Sequence, residues 1–319
     1  MVEKVLVTGG AGFIGSHLCE ALLNKGCEVI CMDNLLTGSK NNIRSFLNNP
    51  RFKFIKHDVI KPYNHITIQP YNHLNFIYHL ASPASPEKYQ KYPVKTLLVN
   101  SVGTYNLLEL ARETKTKFLF ASTSEIYGDP QEHPQKESYW GNVNPIGIRS
   151  CYDEAKRFGE AMTMNFVRKY EVNARIVRIF NTYGSRMEKD DGRVISNFVN
   201  QTIRDKPITV YGNGSQTRSF CFISDMVKGL IKAMETNNTS NEVFNLGNPD
   251  ERKILEIAQL IKKMTESSSE IVFKKLPEDD PTRRRPDIEK AKKILNWTPK
   301  IDLEQGLKET IDYFCSIIK

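Results

Sequence analysis

The stretch "VLVTGGAGFIGSH", Val5 to His17, joins a short apolar run to the start of a helical pattern through a turn carrying Gly9, Gly12 and Gly15. Missing side chains there allow a tight turn, close approach of a pyrophosphate to a helix N-terminus, and close packing of helix on strand. The same letters also satisfy G-x-G-x-x-G through Gly10. A purely structural glycine turn would read the same way, but Asp33 ends the next apolar run 18 residues beyond Gly15. A carboxylate at that place can accept both ribose hydroxyls and repel a 2′-phosphate, which favours NAD over NADP. Asp58, after the third apolar run, either reaches the adenine or is a solvated loop residue.

Short β-rich runs then alternate with longer helical patterns: Lys4 to Thr8, Glu28 to Met32, Lys53 to His57, Asn75 to Leu80, Lys117 to Ser122 and Ala174 to Ile179. Such alternation predicts βαβ units, hence an α/β, Rossmann-type doubly wound parallel sheet. After Asn181 glycine, proline and charged residues break the chain more often, as in "YGSRMEKDDGR" and "VYGNGSQTR". A smaller C-terminal α/β substrate lobe is therefore expected. Residues 1–180 would bind the dinucleotide, with 219–247 returning to that unit, and 181–218 with 248–319 would form the lobe. The low-complexity stretches Thr236 to Asn241 and Thr265 to Glu270 read as surface loops.

Composition narrows the function classes. The 319 residues suffice for a large core, and the formal charge of +8 favours an anionic ligand. Basic residues are scattered, with no block beyond Arg283-Arg284-Arg285, which argues against a nucleic-acid partner. The six cysteines show no C-x-x-C or Cys/His ligand spacing, so a reduced, cytoplasmic protein without a structural metal is expected. Met1 runs almost directly into Val5-Leu6-Val7, which argues against a signal peptide, and no apolar stretch approaches membrane-spanning length. The sequons at Asn213, Asn237 and Asn238 then read as chance matches.

Two further stretches carry chemistry. In "SCYDEAKRFGEAM", Tyr152 and Lys156 are spaced to share one helix face, where an ammonium can favour the phenolate of a tyrosine acting as base. In "ASTSEIYGD" an apolar run ends in Ser122, Thr123, Ser124 and Glu125. Ligands of open α/β sheets sit outside the carboxyl ends of the strands, so these hydroxyls and this carboxylate are candidate chemical groups as well as candidate turn caps.

Together these residues resemble the extended short-chain dehydrogenase/reductase family, and within it the branch of UDP-glucuronate decarboxylases, which form UDP-xylose. The resemblance rests on "TGGAGFIGSHL", "HLASPASP", "ASTSEIYGDP", "NPIG", "CYDEAKR", "RIFNTYG", "DGRVISNF", "VYGNGSQTRSF", "NLGNP" and "RRRPDI", spread over nearly the whole chain. It implies an NAD-dependent enzyme acting on UDP-glucuronate. Thr123 would hydrogen-bond the sugar C4 hydroxyl, Tyr152 would be the base and Lys156 would hold the nicotinamide ribose. Asn100 matches a position that supports the lysine through water, or else caps a helix. The remaining candidate cofactor contacts are Phe13, Ile14, Asn34, Gly38, Val59, Leu80, Ala81, Ser82 and Ser122.

The same resemblance places Asn181, Arg193, Tyr211 and Arg218 on the sugar-nucleotide, where guanidinium forks suit diphosphate oxygens. It puts Arg284 near the substrate carboxylate, against the alternative of a solvated basic loop balanced by Asp279, Asp280 and Asp287. A 4,6-dehydratase relative usually has Asp-Glu after the threonine, the aspartate expelling the C6 hydroxyl, whereas this chain has Ser124-Glu125. A serine cannot be that acid near neutral pH but can hydrogen-bond a carboxylate, leaving Glu125 to assist ring distortion or proton transfer. Rival readings are a dehydratase or 4-epimerase of the same fold, a decarboxylase releasing UDP-4-keto-pentose, and an NAD-binding regulatory protein. The helical patterns Val94 to Arg112 and Cys151 to Tyr170 match helices that pair in dimers of relatives, although either stripe also reads as core.

Overall fold

In a computed structural model, which describes residues 2–62, 73–189 and 191–318, the glycine turn connects β1 (Lys4–Thr8) to α1 (Phe13–Asn24). There follow β2 (Glu28–Asp33), β3 (Phe52–Lys56), β4 (Phe76–His79), α2 (Pro86–Lys91), α3 (Pro93–Leu98), α4 (Thr104–Thr114), β5 (Lys117–Thr123), α5 (Ser150–Tyr170) and β6 (Ala174–Ile179). With a later strand, β11, they form a seven-stranded parallel sheet ordered β11-β6-β5-β4-β1-β2-β3. The order reverses between β1 and β4, and the crevice at such a switch point is where these sheets bind ligands.

Parallel strands are covered on both faces, which is why their sequences are nearly continuous apolar runs. Val5, Val7, Val29 and Cys31 pack on one face with Leu18 and Leu22 of α1. The alternating residues Leu6 and Ile30 join Phe118 and Phe120 on the other face, under Leu107 and Leu108 of α4 and Phe166 of α5. Each such side chain contributes about 1.5–3 kcal/mol when fully buried.

The rest of the chain supplies β7 (Thr182–Tyr183), α6 (Val194–Ile203), β8 (Ile208–Tyr211), β9 (Thr217–Ser219), β10 (Cys221–Phe222), α7 (Ile223–Glu235) and β11 (Val243–Leu246). After these come β12 (Glu251–Lys253), α8 (Ile254–Met264), β13 (Ile271–Lys274), β14 (Arg283–Arg284), α9 (Glu289–Leu295) and α10 (Leu303–Ile318). Small sheets pair β10 with β7, β8 with β13, and β9 with both β12 and β14. These bring the segments after Asn181 over the carboxyl ends of the main strands.

Several local expectations shift. The third and fourth strands are Phe52–Lys56 and Phe76–His79, each displaced by a residue at one or both ends. The helical pattern expected as one piece from Val94 to Arg112 is interrupted by a π turn over Val99–Gly103, which contains Asn100. Thr239 and Ser269 are buried within stretches read as surface loops. Thr239 donates its hydroxyl to Ala233 O at 3.2 Å and Thr236 O at 2.9 Å, so the segment closes the end of α7.

Candidate active site

One cavity of about 1110 Å³ runs along the carboxyl ends of β1, β2, β4, β5 and β6 and under the later segments. Of the candidate residues, all but Asn100 and Arg284 lie on its wall.

At the first turn, Gly9 has φ of +72°, and a Cβ there would meet the backbone of Leu80 and Ala81 at 2.8 Å. A Cβ on Gly15 would fall 2.1 Å from Gly9 O, so α1 can pack on the turn only without it. Gly12 differs: a Cβ there would meet only Gly9 O, at 3.1 Å, and otherwise face the cavity. Its helix begins with no side-chain cap, leaving the first-turn N–H groups to a ligand. Asp33 accepts Ala11 N at 3.0 Å on Oδ2 and Leu35 N at 2.8 Å on Oδ1. Burial raises its pKa, opposed by those hydrogen bonds. Asn34 donates to Asp58 Oδ2 at 3.0 Å, tying the ends of β2 and β3 together. These features fit a dinucleotide: an open glycine, free N–H groups and a held carboxylate with lone pairs to spare.

At the other end of the cavity, β5 delivers Thr123 and α5 delivers Tyr152 and Lys156. Lys156 Nζ donates to Ala121 O at 2.7 Å and stands 5.0 Å from the centre of the Phe120 ring. Burial pulls its pKa down to about 7 against the pull of Glu160. Burial pushes the Tyr152 phenol up, and a hydrogen bond with Thr123 opposes this. Asn100 sits behind this group, its Nδ2 bonded to Ser82 Oγ at 3.0 Å and Thr96 O at 2.9 Å, with Oδ1 buried and unpartnered. Ser122 Oγ donates to Glu160 Oε1 at 2.5 Å, and Glu160 in turn pairs with Arg178 at 2.8 Å.

Beside Thr123 lies a cluster of three arginines and three carboxylates. Glu125 Oε2 receives Arg149 Nη2 and, at 3.4 Å, Arg284 Nη2. Burial alone would raise the Glu125 pKa, but Arg284, Arg149 and Arg218 together bring it down to about 2. Arg218 Nη2 donates to Asp280 Oδ2 at 3.0 Å, and Arg149 Nη1 lies 3.6 Å from Asp280 Oδ1. Asp153 Oδ2 is 3.9 Å from Arg149 Nε, and its Oδ1 is buried without a partner. Burial first, then Glu125, pushes Asp153 up to about 8. Arg284 is 1% exposed and donates to Ser124 O, so it stands behind Glu125, off the cavity wall.

Of the substrate-side candidates, Asn181 follows β6, Tyr211 ends β8, Arg218 sits in β9 and Arg193 precedes α6. Arg193 Nε donates to Asp191, and its guanidinium is 5.5 Å from the Phe13 ring centre, so it reaches toward the first glycine turn. Sequence reasoning missed Tyr89 and Arg149, and named Asp280 only as a counter-charge of the late arginine loop. For the first two the only local signal was proximity to the quoted motifs: Tyr89 trails "HLASPASP" and Arg149 immediately precedes "SCYDEAKR".

The family model described as GDP-mannose 4,6 dehydratase matches residues 6–310. UDP-glucuronic acid decarboxylase 1 of Arabidopsis thaliana is 54% identical, the match covering 98% of this chain and 69% of that one. UDP-glucuronic acid decarboxylase 1 of Danio rerio is 51% identical, covering 98% and 72%. Among solved structures, UDP-glucuronic acid 4-epimerase from Bacillus cereus in complex with UDP-glucuronic acid and NAD superposes with a TM-score of 0.89 at 32% identity, covering 98% of this chain and 99% of that one. UDP-glucose 4-epimerase from Thermotoga maritima, with UDP-glucose, gives 0.90 at 30% identity, covering 99% and 100%.

Proposed function

Because the chain belongs to the extended short-chain dehydrogenase/reductase family, and within it to the UDP-glucuronic acid decarboxylases, we propose that it uses NAD to convert UDP-glucuronate to UDP-xylose and carbon dioxide. The observation that carries the reading is the identity of about half the residues over nearly the whole chain, with Thr123, Tyr152 and Lys156 gathered at one end of a dinucleotide-sized cavity.

Gly9, Gly12, Phe13 and Ile14 would receive the pyrophosphate, Asp33 the adenosine ribose, and Lys156 the nicotinamide ribose. NAD⁺, when bound, would supply the acceptor and donor of hydride that oxidation and reduction at the sugar C4 require. Tyr152 removes the C4 hydroxyl proton, helped by the neighbouring Lys156 charge and by the hydrogen bond from Thr123. Oxidation at C4 makes the C5 carboxylate that of a β-keto acid. The C5–C6 bond then breaks, its electron pair entering an enolate as carbon dioxide leaves. Protonation at C5 and reduction of the C4 ketone would close the cycle with no net redox change.

Glu125, kept ionised by its arginines, would orient the ring or hold the water that delivers a proton to C5, having no proton of its own to give. Ser124 offers a hydroxyl where a dehydratase needs an acid, which favours loss of carbon dioxide over loss of water. Asn181, Arg193, Tyr211 and Arg218 would hold the UDP moiety. Residues 1–180 with 219–247 would act as the NAD-binding unit, and 181–218 with 248–319 as the nucleotide-sugar lobe. A homodimer and a cytoplasmic location complete the proposal. Val94, Leu97, Val102, Tyr105 and Phe158 are exposed on the helices named above, and all six cysteines are free thiols. No helix among the described residues is long and apolar enough to cross a membrane.

The test is to incubate the enzyme with NAD⁺ and UDP-glucuronate while recording released carbon dioxide and product mass. UDP-xylose with stoichiometric carbon dioxide is expected. A product retaining its carboxylate would make the chain an epimerase, and UDP-4-keto-pentose with NADH would make it an oxidative decarboxylase.

A further inference from the structure

The carboxylate of a hexuronate hangs from the carbon next to C4, so whatever recognises it must reach the cavity beside Thr123 and Tyr152. Three guanidinium groups crowd that corner, and the geometry separates them. Arg284 is sealed behind Glu125, with one nitrogen on Ser124 O and another on Glu125. Arg218 donates to Thr217 O at 2.9 Å and to Asp280 at 3.0 Å. Arg149 lines the cavity one helical turn before Tyr152, whose N–H bonds Arg149 O at 2.9 Å. Its guanidinium lies 5.9 Å from the Tyr89 ring centre, and that ring stacks on Tyr152.

We propose that Arg149 is the specificity-determining cation that reads the substrate carboxylate, a role that rests on the decarboxylase reading above. Arg149 can also turn to a ligand without leaving an ionised carboxylate unpaired. Glu125 would keep Arg284, and Asp280 would keep Arg218. Asp153, the third neighbour, is held toward its neutral form by burial and by Glu125. Neither Glu125 nor Asp280 would be stranded without a cation; of the other two arginines, Arg284 lies off the cavity wall and Arg218 is assigned above to the UDP moiety, so Arg149 is the one left on the wall beside Tyr152. With Asp153 protonated the cluster carries one positive charge in excess, and an incoming carboxylate balances it. A planar fork also suits a planar carboxylate, and the bond is charge-assisted.

The experiment uses the full chain loaded with NAD⁺ in a Tyr152→Phe background, so that binding is measured without turnover. UDP-glucuronate and UDP-glucose, which lacks the carboxylate, are titrated calorimetrically. Adding Arg149→Met should weaken UDP-glucuronate at least about tenfold, the scale of a lost hydrogen bond to a charged group, and move UDP-glucose less than about threefold. Arg149→Lys, which keeps the charge without the fork and serves if the methionine variant fails to fold, should narrow the preference partway. Equal weakening of both ligands would reduce Arg149 to a structural role and overturn the proposal. So would a preference that survives Arg149→Met or Arg149→Lys but vanishes in Arg284→Met. If the background protein itself shows no preference for UDP-glucuronate, the decarboxylase reading falls, and this proposal with it.

Discussion

The rings of Tyr89 and Tyr152 lie face to face, 4.9 Å between centroids and 5° from parallel. Tyr89 comes from α2 and Tyr152 from α5, so the stack ties the phenol proposed as base to a separate part of the cavity wall. The Tyr89 hydroxyl is buried and unpartnered, whereas its ring does the positioning. Tyr89→Phe should therefore keep turnover and leave stability within about 1 kcal/mol or raise it, since a buried unsatisfied group is removed. Tyr89→Ala should lower kcat by roughly tenfold or more through misplacement of the phenol. Steady-state kinetics and thermal melts of the two variants check this, and equal losses would assign the effect to the hydroxyl.

Tyr152→Phe removes one hydroxyl and no packing. UDP-glucuronate binding should stay largely intact while turnover falls at least ~100-fold, the scale of a lost general base. Near-normal turnover would mean that another group takes the C4 proton.

Lys156 couples the site to pH. Its folded pKa lies near 7, below the ordinary lysine value, because burial disfavours the ammonium. Between about pH 7 and 10 the unfolded chain binds a proton that the folded chain releases, so this group's penalty is largest below pH 7 and shrinks as pH rises. Lys156→Met should thus be more stable than wild type at pH 6, by on the order of a few kcal/mol, with the difference narrowing toward pH 10. Chemical denaturation across that range would expose the opposite slope if the reading is mistaken.

Gly12 and Gly15 separate binding from folding. Gly15→Ala would drive a Cβ into Gly9 O and should cost about 3 kcal/mol or more of stability along with cofactor binding. Gly12→Ala should fold nearly as well as wild type yet lose NAD, because its Cβ enters the part of the cavity proposed above to take the pyrophosphate. Calorimetric NAD titration beside a thermal melt distinguishes the two.

Asp33 should set cofactor choice. Asp33→Asn is expected to weaken NAD more than NADP, since one acceptor oxygen for the ribose and the repulsion of a 2′-phosphate are lost together. Equal loss for both dinucleotides would leave Asp33 only its role of holding Ala11 N and Leu35 N.

What the sequence by itself determined is whatever depends on neighbours along the chain. Glycine spacing after an apolar run specifies a strand–turn–helix, because only missing Cβ atoms let Gly15 approach Gly9 O. Four-residue spacing puts Tyr152 and Lys156 on one face of α5, and the run Lys117 to Ser122 reads as a covered parallel strand because both its faces are apolar. What only the tertiary structure decided is the charge arrangement around those groups. Nothing local to Arg149 says that it meets Glu125, Asp280 and the Tyr89 ring, or that Arg284 is sealed behind Glu125 while Arg149 stays on the cavity wall. These contacts join segments that the β9–β14 pairing and the packing of α5 bring together, and electrostatic partnership depends on distance through space and on burial, neither of which spacing along a chain encodes.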